Sequence, residues 1–306
     1  MAMSESIQMR NSQPPLQDEY VREHSWKDST FFVVLRQFSR NKMAVCGLVI
    51  ICLLVLMAIL APVLAPYDYR MIDPIHANQS PSAEHWFGTD NLGRDIFTRI
   101  LYGARYSLSL GFLSSMLTAV LGITLGALAG FFGGKVENVI LRLCDIVQSI
   151  PNMLLCICIS QAFGQSFGVT CVALSISQIP NTCRLLRAQI LSVREQEFVE
   201  AARMINCSKA RTVVRHVLPN SITPIIVTFS TGIGMRILAS SGLSFLGLGI
   251  QEPTPEWGAM ISAGRTIFRY HPELVIFPGI FIALTVLSFN LVGDGLRDAL
   301  DPKLRQ

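Results

Sequence analysis

Several runs of apolar residues in this 306-residue sequence are long enough to cross a lipid bilayer. A spanning helix needs about 20 mostly apolar residues. Charged residues make up only 15% of the chain, whereas soluble domains carry about 25%. We therefore predict an all-α membrane protein with six transmembrane helices. The candidate spans are residues 43–65, 107–132, 138–160, 167–186, 222–246 and 273–292.

The third and fourth candidate spans are the least apolar of the six. Arg142, Asp145 and Pro151 interrupt the third span, and the fourth contains polar residues and Pro180. Arg142 and Asp145 are three positions apart, a spacing that predicts an ion pair on the helix surface.

The distribution of Lys and Arg predicts the orientation of the chain, because cations accumulate in cytoplasmic loops. One set of loops and termini carries 18 of these residues and the other set carries 6. Both termini are therefore predicted to be cytoplasmic. The predicted units are a polar tail (1–30), the first span with an extracytoplasmic loop (31–103), a five-helix core (104–293) and a second tail (294–306).

Glycine recurs at every fourth position of the second span, at Gly122, Gly126 and Gly130. One face of this helix is therefore bare backbone, which predicts close packing against another helix of this chain or of a partner. A glycine hinge is the alternative interpretation.

A charged stretch at residues 197–219, EFVEAARMINCSKARTVVRHVLP, separates the fourth and fifth spans. We call it the polar segment. Its apolar residues fall into two helical stripes, which predict two short amphipathic helices. Asn206 is a predicted left-handed stop for the first helix, Ser208 a predicted N-cap for the second and Pro219 its predicted end. The stripes are Phe198, Ala201, Ala202 and Ile205, then Ala210, Val213, Val214, Val217 and Leu218.

Two functions suit such a pair of amphipathic helices. One is an interfacial element that lies on anionic lipid. The other is a docking element that enters a groove of a cytoplasmic partner.

The polar segment resembles the EAA loop of ABC-importer permeases, which is Glu-Ala-Ala, three residues, Gly, and then a hydrophobic-Leu-Pro ending. Glu200, Ala201 and Ala202 match its start, and Leu218 and Pro219 match its end. Asn206 stands at the glycine position. Asn tolerates the left-handed conformation better than most residues, so we expect the bend to survive.

Three further stretches resemble the second permease of the peptide/nickel branch of this family. They are FGTDNLGRDIFTRILYGARYSL (87–108), LSFLGLGIQEPTPEWGAMI (243–261) and FNLVGDGLRDALDPKL (289–304). The resemblance implies the type I importer permease fold, a location in the bacterial inner membrane and a di- or oligopeptide substrate. Nickel, opine and glutathione importers share these motifs and stay as alternatives.

The resemblance also implies partners: a sister permease, two ATP-binding subunits and an extracytoplasmic binding protein, with no nucleic acid. The polar segment would be the coupling helix that seats in an ATPase subunit. This sequence contains no Gly-x-x-x-x-Gly-Lys-Ser/Thr motif, so we expect the partner subunits to use ATP and Mg²⁺ and this chain to bind no cofactor.

Arg236 lies near the middle of the fifth span, where a charge is costly and usually faces a cavity or a partner. One hypothesis is that it lines the translocation path and attracts a peptide carboxylate. The alternative is an ion pair with Asp145 or with the sister subunit.

The two predicted extracytoplasmic loops contain their own candidate features. Thr89, Asp90, Gly93, Arg94 and Asp95 predict a structured turn with Asp–Arg pairing rather than a substrate contact. Trp86 and Trp257 are predicted interfacial anchors.

Two other classes of protein were weighed, an intramembrane enzyme and an ion channel. The five histidines are scattered, and none forms a metal-binding or catalytic spacing, which argues against an enzyme. A channel would need no docking helix of the EAA type.

Overall fold

The computed structural model describes residues 30–300, which are mainly helical. Within this range, extended backbone forms one isolated bridge, between Thr89 and Asp95. The predicted tail at 1–30, apart from Thr30, and the last six residues lie outside the described part. The helices are α1 Thr30–Arg40, α2 Lys42–Leu64, α3 Ile96–Phe132, α4 Gly134–Gln148, α5 Asn152–Phe163, α6 Phe167–Val193, α7 Glu197–Met204, α8 Lys209–Thr212, α9 Leu218–Ser221, α10 Thr223–Phe245, α11 Trp257–Gly264 and α12 Glu273–Leu300.

Helices occupy all six regions that were predicted to span the membrane. Among residues 30–300, α2, α3, α10 and α12 are long and apolar enough to cross it, and the α4–α5 pair adds a fifth crossing if it counts as one span. Helix α6 lies at the fourth predicted span but is not among these helices. The crossing of the membrane by α6 therefore stays a prediction.

The third predicted span is bent rather than straight. Helices α4 and α5 meet at an angle of 83°. Pro151 has extended backbone at the break, with ψ of 134°, and a residue that precedes proline disfavours the helical conformation. The proline therefore splits this apolar stretch into two short helices.

The glycine face of α3 packs directly against α6. A Cβ atom on Gly126 would lie 2.7 Å from the backbone oxygen of Cys183, and one on Gly122 would lie 2.7 Å from the Cβ of Thr182. At Gly130 the nearest atom would be the Cβ of Ile190, at 3.0 Å. The prediction of close helix packing is confirmed, and the partner is another helix of the same chain.

The main hydrophobic core joins α3, α10, α11 and α12. Ile100 of α3, Ile237 of α10 and Trp257 of α11 are fully buried there, and Ile282 of α12 is buried beside them. This core lies toward the start of α3 and holds both long loops of the chain, 65–95 and 246–272, at one end of the molecule.

Four charged residues join these two loops, and we call them the ion cluster: Asp90, Arg94, Arg99 and Glu252. Arg94 Nε lies 2.7 Å from Asp90 Oδ2, and Arg94 Nη2 lies 2.6 Å from Glu252 Oε1. Arg99 contacts the same two carboxylates at 3.6 and 3.5 Å. The predicted structured turn is confirmed, with Gly93 in the left-handed region at φ +75°.

Trp257 is fully buried, so its predicted role as an interfacial anchor is wrong. Its indole Nε1 donates a hydrogen bond to the carbonyl of Ile100, 3.1 Å away. The preceding Glu256 is also fully buried and caps α11, since its Oε2 accepts a hydrogen bond from the backbone N–H of Ala259 at 2.8 Å. Burial raises the pKa of the Glu256 carboxyl. Trp86, in contrast, is 61% exposed.

Candidate functional site

The first helix of the polar segment, α7, ends at a left-handed residue. Asn206 has a φ of +57°. The backbone N–H of Cys207 returns to the carbonyl of Ala202 at 3.1 Å, a hydrogen bond typical of a helix that ends in this conformation. The bend that was predicted at Asn206 is therefore present, although glycine is absent.

The second helix begins as predicted, at Ser208. The Oγ of Ser208 accepts a hydrogen bond from the backbone N–H of Arg211 at 3.4 Å, and its carbonyl accepts from the N–H of Thr212 at 2.9 Å. The first contact satisfies a donor that a helix start otherwise leaves without a partner, and the second is the first hydrogen bond of the helix itself.

Replacing Ser208 with alanine should weaken the start of α8. Loss of an N-cap costs about 1 kcal/mol. We expect faster hydrogen exchange at Arg211 and Thr212, measured by mass spectrometry on the purified protein. Exchange in α7, which Ser208 does not cap, serves as the internal reference. Equal exchange in variant and wild type would contradict the capping role.

Pro219 does not end the second helix, so that prediction is wrong. The chain continues from α8 through a π turn at Val213–Val217 into α9, which ends at Ser221. The N–H of Leu218 bonds the carbonyl of Val213, five residues back. Pro219 lies in the first turn of α9, directly after the π turn, and because proline lacks an N–H it donates no hydrogen bond to that turn.

One face of the polar segment is anchored in the protein. Val199 and Val217 are fully buried, and they pack with Leu186 and Ile190 of α6 and Ile225 of α10. Partly buried residues of α3 complete this cluster: Ile123, Ala127 and Phe131. Arg194, at the end of α6, also donates a hydrogen bond to the carbonyl of Gly130 at 3.2 Å. The buried residues of the polar segment therefore belong to one cluster with residues of three long helices.

The opposite face of the polar segment is open and partly apolar. Met204 and Ile205 are 88% and 80% exposed, and Val214 is 66% exposed. Glu200 and Ala201 are exposed as well, whereas Ala202 is buried. The predicted stripes are therefore divided between the two faces. Val199 is one of the main anchors, although it is not part of the predicted stripes. The only sign of this in the sequence was an apolar, β-branched residue next to Glu200.

Ion pairs join α4 to α6. Arg187 Nε donates a hydrogen bond to Glu137 Oε1 at 2.6 Å, and Arg184 pairs with Asp145. The predicted pair of Arg142 with Asp145 is present at 4.0 Å. In the described structure Asp145 is thus paired with α6 and not with Arg236, which removes one of the two alternatives for that arginine.

A cavity of about 470 Å³ lies between α5, α6 and α10. Two helices contribute one face each, at the three- and four-residue spacing of a helix. The lining residues of α6 are Leu174, Ser177, Gln178, Asn181, Thr182 and Leu185, and those of α10 are Thr228, Thr231, Gly232, Met235, Arg236, Ala239 and Leu243. Gln178 and Asn181 are polar residues inside an apolar stretch of the sequence, and both line this cavity. Their position in the fourth predicted span was an indication of a polar cavity.

Arg236 of α10 is one of the residues that line this cavity, and its role in a translocation path stays a prediction. Only 8% of its surface is exposed. Its Nη1 donates a hydrogen bond to Ser115 Oγ of α3 at 3.0 Å, and its Nε has no partner among the described residues. A Cβ on Gly232, one turn earlier, would collide with this guanidinium.

These features are those of a membrane-embedded transport subunit, with the polar segment anchored on one face at one end of the molecule and a polar cavity in the helical bundle. Residues 122–306 match the family described as "Binding-protein-dependent transport system inner membrane component", and residues 29–81 match "N-terminal TM domain of oligopeptide transport permease C". The chain therefore belongs to the binding-protein-dependent permeases of ABC importers. This is a multi-pass family of the inner membrane, and its members are transport subunits rather than enzymes.

Individual relatives align with nearly the whole chain. The dipeptide transport system permease protein DppC of Alkalihalophilus pseudofirmus is 44% identical over 292 residues, which cover 95% of this chain and 94% of the relative. The glutathione permease GsiD of Pectobacterium atrosepticum is 42% identical, with 95% of each chain covered. The oligopeptide permease OppC of Bacillus subtilis is 39% identical, with 92% and 90% covered.

Solved structures support the fold. An inward-facing form of the MetNI methionine ABC transporter superposes with a TM-score of 0.55 at 16% identity, covering 66% of this chain and 97% of that chain. An amino acid ABC transporter gives a TM-score of 0.52, covering 67% and 95%. The predicted type I importer permease fold is therefore confirmed, while at this identity the likeness says nothing of substrate.

Proposed function

We propose that this chain is the second permease of an importer for di- or oligopeptides and that its polar segment couples the membrane helices to an ATPase subunit. The anchored and open faces of this segment carry the proposal. The helix pair is packed on one side and leaves Met204 and Ile205 exposed on the other. A partner can therefore bind the exposed side while the buried side stays packed against the bundle.

Movement of the polar segment would reach the cavity through direct contacts. Val199 and Val217 belong to one buried cluster with residues of α6 and α10, and these two helices line the cavity on two sides. Closure of a docked ATPase subunit would therefore displace both cavity walls. Rigid-body rocking of helix groups around a central site is the general scheme of alternating access.

The proposed orientation places the polar segment and both termini in the cytoplasm. The excess of Lys and Arg on that side supports it. The two loops joined by the ion cluster lie at the opposite end and would face the binding protein. The proposed assembly also contains a sister permease and two ATPase subunits, which would bind ATP and Mg²⁺.

The proposed substrate is a peptide, and the cavity with Arg236 would be this chain's part of the translocation path. Relatives at 44% and 39% identity are dipeptide and oligopeptide permeases. Glutathione is the second candidate, because a glutathione permease is 42% identical. Glutathione is itself a small peptide derivative, so the chemical demands on the path are similar.

Co-purification of the ATPase subunits tests the coupling role. Introducing Ala201→Arg or Met204→Glu on the open face should lower the ATPase recovered with the complex in mild detergent by about tenfold, since a charge at an apolar interface is costly. Peptide uptake by cells should fall in parallel.

Ile75→Glu is the matched control. Ile75 is 88% exposed, as Met204 is, but it lies in the 65–95 loop at the other end of the molecule. ATPase recovery should be unchanged in this variant. Full recovery with Met204→Glu and Ala201→Arg would instead support a segment that lies on lipid and would end the coupling proposal.

A further inference from the structure

Arg236 is the one charged residue among the described residues that line the cavity. The residues lining the cavity include Arg236 and no Asp, Glu, Lys or His. Amide and hydroxyl groups surround it, from Gln178, Asn181 and Thr231 among others. The cavity of about 470 Å³ falls in the size range of small-molecule sites, about 300–1,000 Å³.

The guanidinium of Arg236 has unused donor capacity. A guanidinium carries five N–H donors, and Ser115 Oγ accepts from Nη1 at 3.0 Å while Nε lacks a partner. No carboxylate among residues 30–300 forms an ion pair with it. Because a buried charge without a counter-charge is costly, this arrangement calls for an anion from outside the chain.

The space for this side chain is built into α10. Gly232 lies one turn before Arg236, and any larger residue there would displace the guanidinium from its present position. The bond to Ser115 Oγ then holds one edge of the group, while Nε is buried without a partner among the described residues. Gly232 and Ser115 therefore fix the position of the Arg236 side chain.

We propose that Arg236 binds the carboxylate of the peptide in transit. The inference rests on the proposed function and names the chemistry that its cavity recognises. Arginine suits a carboxylate because its planar fork makes paired charge-assisted hydrogen bonds. The neutral amides and hydroxyls of α6 and α10 would contact the peptide backbone. One cation among neutral groups suits a transport path, where binding must remain weak enough for release.

Binding of dialanine and of its C-terminal amide to the purified permease–ATPase complex, without the binding protein, tests this inference. Calorimetry on the wild-type complex should show about tenfold tighter binding of the acid, as expected for a charge-assisted contact. Arg236→Gln should remove that preference and leave the affinity for the amide unchanged. Arg236→Lys should keep part of it.

Gly232→Ala is the second variant, because it keeps the charge and displaces the guanidinium. It should reduce the preference for the acid. Equal wild-type affinities for acid and amide, no binding of dialanine, or a preference that persists in Arg236→Gln would each overturn the inference. Loss of the sister permease from the Arg236→Gln complex would overturn the inference too. The carboxylate that pairs with Arg236 would then be a residue of the sister permease and not a group of the peptide.

Different results would contradict the proposed function and the proposed carboxylate site. An importer in which ATP-driven uptake of dialanine is normal, but acid and amide bind alike, keeps the function and loses the carboxylate site. A wild-type complex that imports no peptide loses the function.

Discussion

Replacing Arg94 with methionine is expected to lower the free energy of unfolding by about 3 kcal/mol, because it breaks the ion cluster that joins the two loops. The side chain of Arg94 is 2% exposed and contacts Asp90 and Glu252 at 2.7 and 2.6 Å. Removing one partner of a buried pair leaves charge without compensation, which costs about 3–5 kcal/mol. We place the effect at the lower end, since Arg99 still faces both carboxylates.

Chemical unfolding of the purified protein in detergent measures this effect. Arg142→Met is the matched control, because the Arg142 side chain is 85% exposed and its pair with Asp145 is long, at 4.0 Å. Such a surface pair contributes about 0–1 kcal/mol. Adding Glu252→Gln to Arg94→Met should recover part of the loss. Similar stabilities for the Arg94 and Arg142 variants would show that the ion cluster does not stabilise the loops.

Replacing Gly126 with alanine is expected to destabilise the protein by about 2 kcal/mol. Its Cβ would stand 2.7 Å from the backbone oxygen of Cys183 in α6. A backbone atom cannot move aside as the end of a side chain can, so α3 and α6 would have to separate. Overpacking of this kind costs about 1–3 kcal/mol.

Gly279→Ala separates this steric effect from the helix propensity of alanine. Gly279 also lies inside a long helix, α12, and nothing lies within 4 Å of the position of its Cβ. Alanine should leave stability unchanged there or raise it by up to about 1 kcal/mol. Unfolding midpoints in the same detergent provide the comparison. A Gly126 variant as stable as the Gly279 variant would show that the two helices have room to spare.

Features set by neighbouring residues could be predicted from the sequence. Asn206 stops α7 and Ser208 caps α8 because each acts through hydrogen bonds within a few residues. Apolar run length located the long helices for a similar reason, since a lipid-facing helix satisfies its own backbone. The glycine spacing in α3 predicted close packing, but the spacing alone held no information about which helix would pack there.

Features set by distant residues could not be predicted in this way. Trp257 is buried because Ile100, 157 positions away, offers a carbonyl to its indole. The position of Arg236 depends on Ser115, 121 positions away. The helical conformation continues through Pro219, and the π turn before it ends at Val217, which is held in the core by distant residues. None of these contacts leaves a mark in local sequence.

The π turn at Val213–Val217 has a geometric consequence for α9, the helix that follows it. A π turn contains one residue more than the corresponding α-helical length, and each residue of an α-helix advances the direction of the side chains by about 100°. Residues after the turn are therefore rotated by that amount relative to an uninterrupted helix. The turn acts as an angular offset between α8 and α9, the two helices that it joins. The direction in which the side chains of α9 point is thus set partly by the number of residues in the turn before it.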